Sequence, residues 1–174
     1  MRITALEEYG LRALLCIAKY SSSDDESRRG LTIPEIAETE GISIPYASKV
    51  MRKLRQGGLV KASRGRTGGY YLTKSPDEIT LSEALMVLGG PLIADNHCEL
   101  YPGVKTECVH NSDCSLRGAL GGLVEHLNIF LTRTTIGNLA GTESQTRKLI
   151  KKSMRKYARG NQTPFESASE QAAA

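Results

Sequence analysis

No apolar run in this chain comes near the ~20 residues that a membrane-spanning helix needs. The longest, "LRALLCIA" and "ALMVLGG", fall far short. The opening residues, "MRITALEEYG", carry acids where a signal peptide would have its apolar stretch. These lacks predict a cytoplasmic protein, in which thiols stay reduced. Cysteine is scarce, with four in 174 residues. Three of the four crowd into "HCELYPGVKTECVHNSDC" at 97–114, and in a reducing compartment such a cluster points to a metal or redox site rather than to staples. No serine–histidine–acid order, phosphate loop or metal-hydrolase helix motif is present, so an enzyme is not expected.

Acid is also missing where it matters. From Gly41 to Pro76 there is no Asp or Glu, while the span holds Lys49, Arg52, Lys53, Arg55, Lys61, Arg64, Arg66 and Lys74. Net charge is only +4, so this is a local excess of one sign, and it points to a polyanion, nucleic acid first. A second acid-free basic run, Arg147 to Arg159, reads as a tail, and 160–174 as disordered.

What is present has the punctuation of short helices. Residues 2–20 carry a broad apolar stripe at helical spacing, with Leu6, Tyr9, Ala13, Cys16 and Ile17 on it and Leu11, Leu14 and Leu15 one face over. Cys16 reads there as a small packed hydrophobe. Thr32 is placed to cap a helix with Pro34 early in it and Glu35 completing a capping box. Gly41 ends that helix and Ser43 caps the next, which has Pro45 in its first turn, Val50, Met51 and Leu54 facing inward, and Gly57-Gly58 as its stop. Two helices across a tight glycine turn, the second basic, form a helix-turn-helix pattern. Leu59–Ala62 and Tyr70–Thr73 then read as the strands of a hairpin with a basic tip, a wing. A winged helix sets its second helix in the major groove. Its wing arginines, Arg64 and Arg66, would reach the narrow minor groove. Candidate base or phosphate contacts on the second helix are Ser43, Tyr46 and Ser48, with Lys49, Arg52 and Lys53 for phosphates.

A further helix follows with Ser82 as its cap and ends at Gly89-Gly90-Pro91. The cysteine segment has no apolar period. Cys98, Cys108 and Cys114 are separated by nine and five residues, without the tight pairs of a zinc ribbon. A loop whose thiolates arrive from three points suits an iron–sulfur cluster. From Ser115 a long helix repeats Leu116, Leu120, Leu123, Leu127 and then Phe130 or Leu131, close to a heptad seam, and is read as a dimerisation helix. The expected architecture is mainly α with a small β-hairpin wing: a winged helix-turn-helix over 1–80, the cysteine loop and dimerisation helix over 81–140, and a tail over 141–174.

The stretches "MRITALEEYGLRAL" and "IPEIAETEGISIPYASKVMRKLRQGGLVKASRGRTGGYYL", and a three-cysteine loop before a helix ending "TIGNLAG", resemble the winged-helix iron–sulfur regulators that include IscR and NsrR. The resemblance covers roughly residues 1–140. It implies a homodimer on a pseudo-palindromic operator and a 2Fe–2S or 4Fe–4S cluster on the three loop cysteines. In one branch the fourth ligand is a histidine three residues after the last cysteine, a position that is Arg117 here. In the other it is a carboxylate on the N-terminal helix of the second subunit, a position that is Glu8 here. The resemblance therefore implies Glu8; the loop's own His110 and His97, and water or no fourth ligand, are the alternatives. The nine-residue first gap departs from the usual pattern. A repressor role under control of nitric oxide, redox state or iron is the expectation. The alternatives are a cluster-free thiol redox repressor and an iron–sulfur carrier without specific DNA binding.

Overall fold

A computed structural model describes residues 3–21, 29–65, 68–91 and 102–160. Helix α1, Ala5–Ser21, begins three residues later than the periodicity predicts, because Thr4 caps it. The Thr4 amide donates to Glu7 Oε2 at 2.6 Å, and the Glu7 amide donates to Thr4 Oγ1 at 3.3 Å, which satisfies free N–H groups of the first turn. Helix α2, Ile33–Glu40, starts at Thr32 as predicted and closes on Gly41, whose φ of 65° places it in the left-handed region. Helix α3, Ile44–Gln56, starts at Ser43 with Pro45 in its first turn. Strands β1, Val60–Ser63, and β2, Gly69–Leu72, pair antiparallel with Val60 opposite Leu72 and Ser63 opposite Gly69. The strands sit one residue from their predicted limits.

Helix α4, Leu81–Leu88, is capped by Thr80 and not by Ser82: Thr80 Oγ1 accepts the Glu83 amide at 3.1 Å. The cause is tertiary. Thr80 bridges Thr135, and the Leu81 amide donates to Thr134 O at 2.8 Å, so the extended backbone runs to Thr80 and the helix can start only after it. Helix α5, Ser115–Arg133, is the long helix expected from the leucine spacing. The short helix α6, Ile136–Leu139, returns to the first half of the chain: the Ile136 amide donates to Ile79 O and the Gly137 amide to Pro76 O, both at 2.8 Å.

The core gathers one stripe from each element. It takes Ala13, Leu14 and Ile17 from α1, Ile36 from α2, Val50, Met51 and Leu54 from α3, Leu59 and Val60 from the hairpin, Ala84, Leu85 and Leu88 from α4, and Leu131 and Ile136 from α5 and α6. Two helices approach where glycine removes a side chain: Leu88 fills the space a Cβ on Gly10 would need, and Val87 does the same at Gly57. The hairpin is held by a backbone contact. The Tyr70 amide donates to Leu31 O at 2.8 Å and the Leu31 amide to Tyr70 O at 3.2 Å, so Leu31 extends the sheet ahead of α2. This requires Gly30 and Gly69 to lie against each other, and a Cβ on either would collide with the other's backbone.

Residues 141–160 belong to a separate unit. The run read as a tail contains helix α7, Glu143–Gly160. Thr142 and Gln145 cap it reciprocally, with the Thr142 amide donating to Gln145 Oε1 at 2.8 Å and the Gln145 amide to Thr142 Oγ1 at 3.3 Å. The stretch beyond 160 that was expected to be disordered lies outside the described residues.

Gly69 has φ 140° and no room for a Cβ, whereas Gly58, at φ 74°, faces open space. Gly69→Ala is expected to lower stability by roughly 2–3 kcal/mol and Gly58→Ala by about 1 kcal/mol. Urea unfolding of both variants checks this, and equal losses would contradict the close-approach account.

Candidate nucleic-acid interface and cysteine segment

Helix α3 divides its residues between two faces. Ala47, Val50, Met51 and Leu54 are buried, and 100° per residue then puts Lys49, Arg52, Lys53 and Gln56 together on the opposite side, where all four are exposed. Gln56 was not singled out from the sequence, although its place three residues after Lys53 and four after Arg52 is the signal that finds it. Ile44, 53% exposed in the first turn, was also passed over. The three uncharged candidates differ. The Ser43 hydroxyl accepts the Tyr46 amide at 3.4 Å as the helix cap. Ser48 Oγ donates back to Ile44 O at 2.9 Å. Tyr46 is half-buried, with its ring edge-on to Tyr9 at 5.7 Å between centroids, so part of its surface is already committed to α1.

Two ion pairs position α2, the helix before the turn. Glu35 receives the Thr32 amide at 2.9 Å and both terminal nitrogens of Arg29, at 2.5 and 3.0 Å. The Arg29 hydrogen bond, with help from Thr32, lowers the Glu35 carboxyl from its ordinary 4.5 to about 2. At the other end Arg12 Nε donates to Glu40 Oε2 at 2.6 Å and its Nη2 to Glu40 O at 3.1 Å, which ties the last residue of α2 to α1 immediately before Gly41. The bond to Glu40 raises the Arg12 pKa. Cys16 lines a cavity of about 560 Å³ beside this pair, and burial pushes its thiol pKa up, which fits a packed, protonated side chain.

On the wing, Lys61 and Arg64 are exposed and the Gly68 amide donates to Gly65 O at 2.8 Å to close the tip. Arg66 lies outside the described residues. Lys74, counted in the basic block, pairs with Glu83 at 2.8 Å, and that bond raises its pKa. Its partner is an acid beyond the acid-free span.

Of the proposed sulfur ligands, Cys98 lies outside the described residues, as does His97. Cys108 and Cys114 are free thiols, both half-buried, in the turn-rich stretch before α5. The Asn111 amide donates to Cys108 O at 3.1 Å. Arg117 Nη2 donates to His110 O at 3.1 Å and Asn111 O at 3.0 Å, so this side chain clips the turn between the two thiols. Cys114 precedes the first residue of α5, and its thiol makes no capping bond. His110 and Glu8 are exposed. Among the described residues no three His, Cys, Asp or Glu side chains converge to hold a metal ion. Two soft thiols flanking the clipped turn, Cys108 before it and Cys114 beyond it, fit part of the donor set of an iron–sulfur cluster. Along α5, Leu116 and Leu123 are 66% and 50% exposed, while Leu131 is buried.

A helix-turn-helix with a cationic outer face and a hairpin wing defines a DNA-binding transcriptional regulator. The chain belongs to the Rrf2 family: a model of that family, described as an iron-dependent transcriptional regulator, matches residues 3–142. It is 29% identical to an rrf2-like HTH-type regulator of Rhodobacter capsulatus over 150 residues, 85% of this chain and 98% of that protein. It is 29% identical to the HTH-type regulator IscR of Cronobacter sakazakii over 143 residues, 82% of each. Among solved structures it is similar to CymR, the global cysteine regulator of B. subtilis, with a TM-score of 0.64 and 27% identity over 80% of this chain and 96% of that one. Among the described residues no helix is long and apolar enough to cross a membrane.

Because the folded Glu35 pKa lies below its unfolded value, its contribution is present above pH 4.5 and is lost as pH falls toward 2. With the pair a third exposed, it amounts to less than about 1 kcal/mol at neutral pH after solvent screening. Glu35→Gln is expected to lower stability at pH 7 by that amount and to flatten its decline between pH 4.5 and 2, as read by urea unfolding across pH; an unchanged acid limb would contradict this role.

Proposed function

We propose that this chain is a homodimeric transcriptional repressor whose grip on a pseudo-palindromic operator is set by the chemistry of its loop thiols, which ligate an iron–sulfur cluster. The observation that carries the DNA-binding half is the exposed row Lys49, Arg52, Lys53 and Gln56 on α3. Each copy lays α3 in a major groove. Lys49, Arg52 and Lys53 hold phosphates, Gln56 and Ser43 are available to base edges, and Ile44 suits a thymine methyl. Arg64 and Arg66 on the wing enter the flanking minor groove, where the potential is most negative. The exposed Leu116 and Leu123, in line with Leu120 and Leu127, supply the seam on which two copies of α5 pack, and half-sites then fall about one helical turn apart.

Cys98, Cys108 and Cys114 are the ligands proposed for the cluster, with Glu8 of a second copy completing the set. The match to a family described as iron-dependent supports an iron-bearing group on these thiols; Glu8 rests on its position in α1 alone. A bound cluster supplies iron that is sensitive to oxidants and to nitric oxide. This chain's part is positional. Arg117 holds the turn between Cys108 and Cys114 at the start of α5, so a change at the thiols is felt at the helix that joins the two copies. A shift of ~1–3 kcal/mol in operator affinity is enough for a switch. A cluster-free thiol redox repressor is the second reading, favoured by the similarity to a cysteine regulator and by the two free thiols in the stretch before α5.

With a duplex selected from random sequence by the native protein, Arg52→Ala, Lys53→Ala and Arg64→Ala are each expected to weaken binding by ~1–3 kcal/mol. Full affinity in all three would refute the interface. Arg66→Ala is expected to act like Arg64→Ala. Cys108→Ala is expected to remove the visible absorbance and the iron of anaerobically purified protein while leaving duplex binding measurable. A colourless native protein whose duplex affinity responds to thiol oxidants would instead establish the second reading.

A further inference from the structure

Helix α7 begins at Glu143, one residue past the stretch matched by the family, so nothing in the winged-helix assignment accounts for it. Its charges are arranged, not merely abundant. At 100° per residue, Arg147, Lys148, Lys151, Lys152 and Arg155 fall on one half of the helix. Leu149, Ile150 and Met154 fall on the other. The five cations are exposed, and the sequence continues the run with Lys156 and Arg159. The only acid in the helix is Glu143, which pairs with Arg147.

This arrangement works against the helix. Arg147 and Lys151, Lys148 and Lys152, and Lys151 and Arg155 are like charges four residues apart, a spacing that destabilises a helix. A solvated helix gains nothing from such a row. A polyanion relieves the repulsion and releases its own counterions in doing so. The apolar side is short: Leu149 and Met154 are 49% and 59% exposed, with Ile150 between them, and the described part of the helix has no Trp or Phe. That is too little to anchor a helix in lipid, where large apolar side chains carry insertion.

We infer that the cationic half of α7 is a second, sequence-independent nucleic-acid contact, which holds duplex phosphates outside the operator read by α3 and the wing. The inference rests on the DNA-binding reading above and extends it. A short tether from the regulator, Ala140–Thr142, keeps the helix at high effective concentration beside any duplex already bound. The expected consequence is stronger non-specific binding, a steeper salt dependence and no change in which sequence is preferred.

The test uses the full chain and a quadruple variant, Lys148→Gln, Lys151→Gln, Lys152→Gln and Arg155→Gln, titrated by anisotropy against a random-sequence duplex of about 30 base pairs across salt concentrations. Each lost phosphate contact should make the log–log salt slope shallower by about 0.9, so a loss of about 3 or more is expected, with affinity at low salt falling at least roughly tenfold. An unchanged slope overturns the inference. Leu149→Ala with Met154→Ala keeps every cation and should keep the slope; a loss matching that of the quadruple variant would assign binding to the apolar side and overturn it too. Sedimentation with phosphatidylglycerol vesicles supplies the competing outcome: vesicle binding lost in the quadruple variant while its duplex slope is intact places α7 on a membrane instead. Failure of the operator reading looks different. The native chain would then prefer no selected duplex over random sequence, yet retain the α7-dependent slope.

Discussion

Thirteen residues of α3 must serve the core and a polyanion at once, and the 3.6-residue period lets them do so. Val50, Met51 and Leu54 are fully buried, which leaves the helix no freedom to rotate about its axis. A rotation that exposed them would also carry Arg52 and Lys53 toward the interior without partners, at a cost of several kcal/mol per charge. Packing therefore aims the cations. The Arg12–Glu40 pair and the left-handed Gly41 then fix where α3 leaves α2, so the outer row is presented by a frame and not by a loose helix.

The wing depends on a different device. A two-stranded hairpin is marginal by itself. Here the bridge between Leu31 and Tyr70 adds a third extended segment, and the mutual contact of Gly30 and Gly69 makes the bridge possible. The same chain that enters α2 thus steadies the wing. Helix α4 closes the other side of the core through Gly10 and Gly57, whose missing side chains admit Leu88 and Val87.

The cysteine stretch is organised more lightly. Its described ties are hydrogen bonds to backbone carbonyls, from the Arg117 guanidinium to His110 and Asn111 and from the Asn111 amide to Cys108. These hold a turn without burying much apolar surface. Helix α5 has the same divided character. Its last turn enters the core through Leu131, while Leu116 in its first turn and Leu123 at its middle stay exposed. A segment anchored at one end and open at the other is suited to transmit an event near its open end.

Much of the winged helix was legible in the sequence because its signals are local. Thr32 with Glu35, Ser43 with Pro45, Gly41 and the Gly57-Gly58 stop act within a few residues of themselves, and the alternation of Val50, Met51 and Leu54 with Lys49, Arg52 and Lys53 is a property of one helix. Of the candidate site, the exposed cations of α3 and Arg64 were legible for the same reason. What the tertiary structure decided involves groups distant in sequence. Thr80 rather than Ser82 caps α4 because Thr134 and Thr135 pair beside it, Tyr46 is drawn half-inward by Tyr9, and Lys74 finds Glu83. Period, caps and turns are short-range steric and hydrogen-bonding preferences that a chain carries with it, whereas these partners meet only once the core has closed and set the distances between helices.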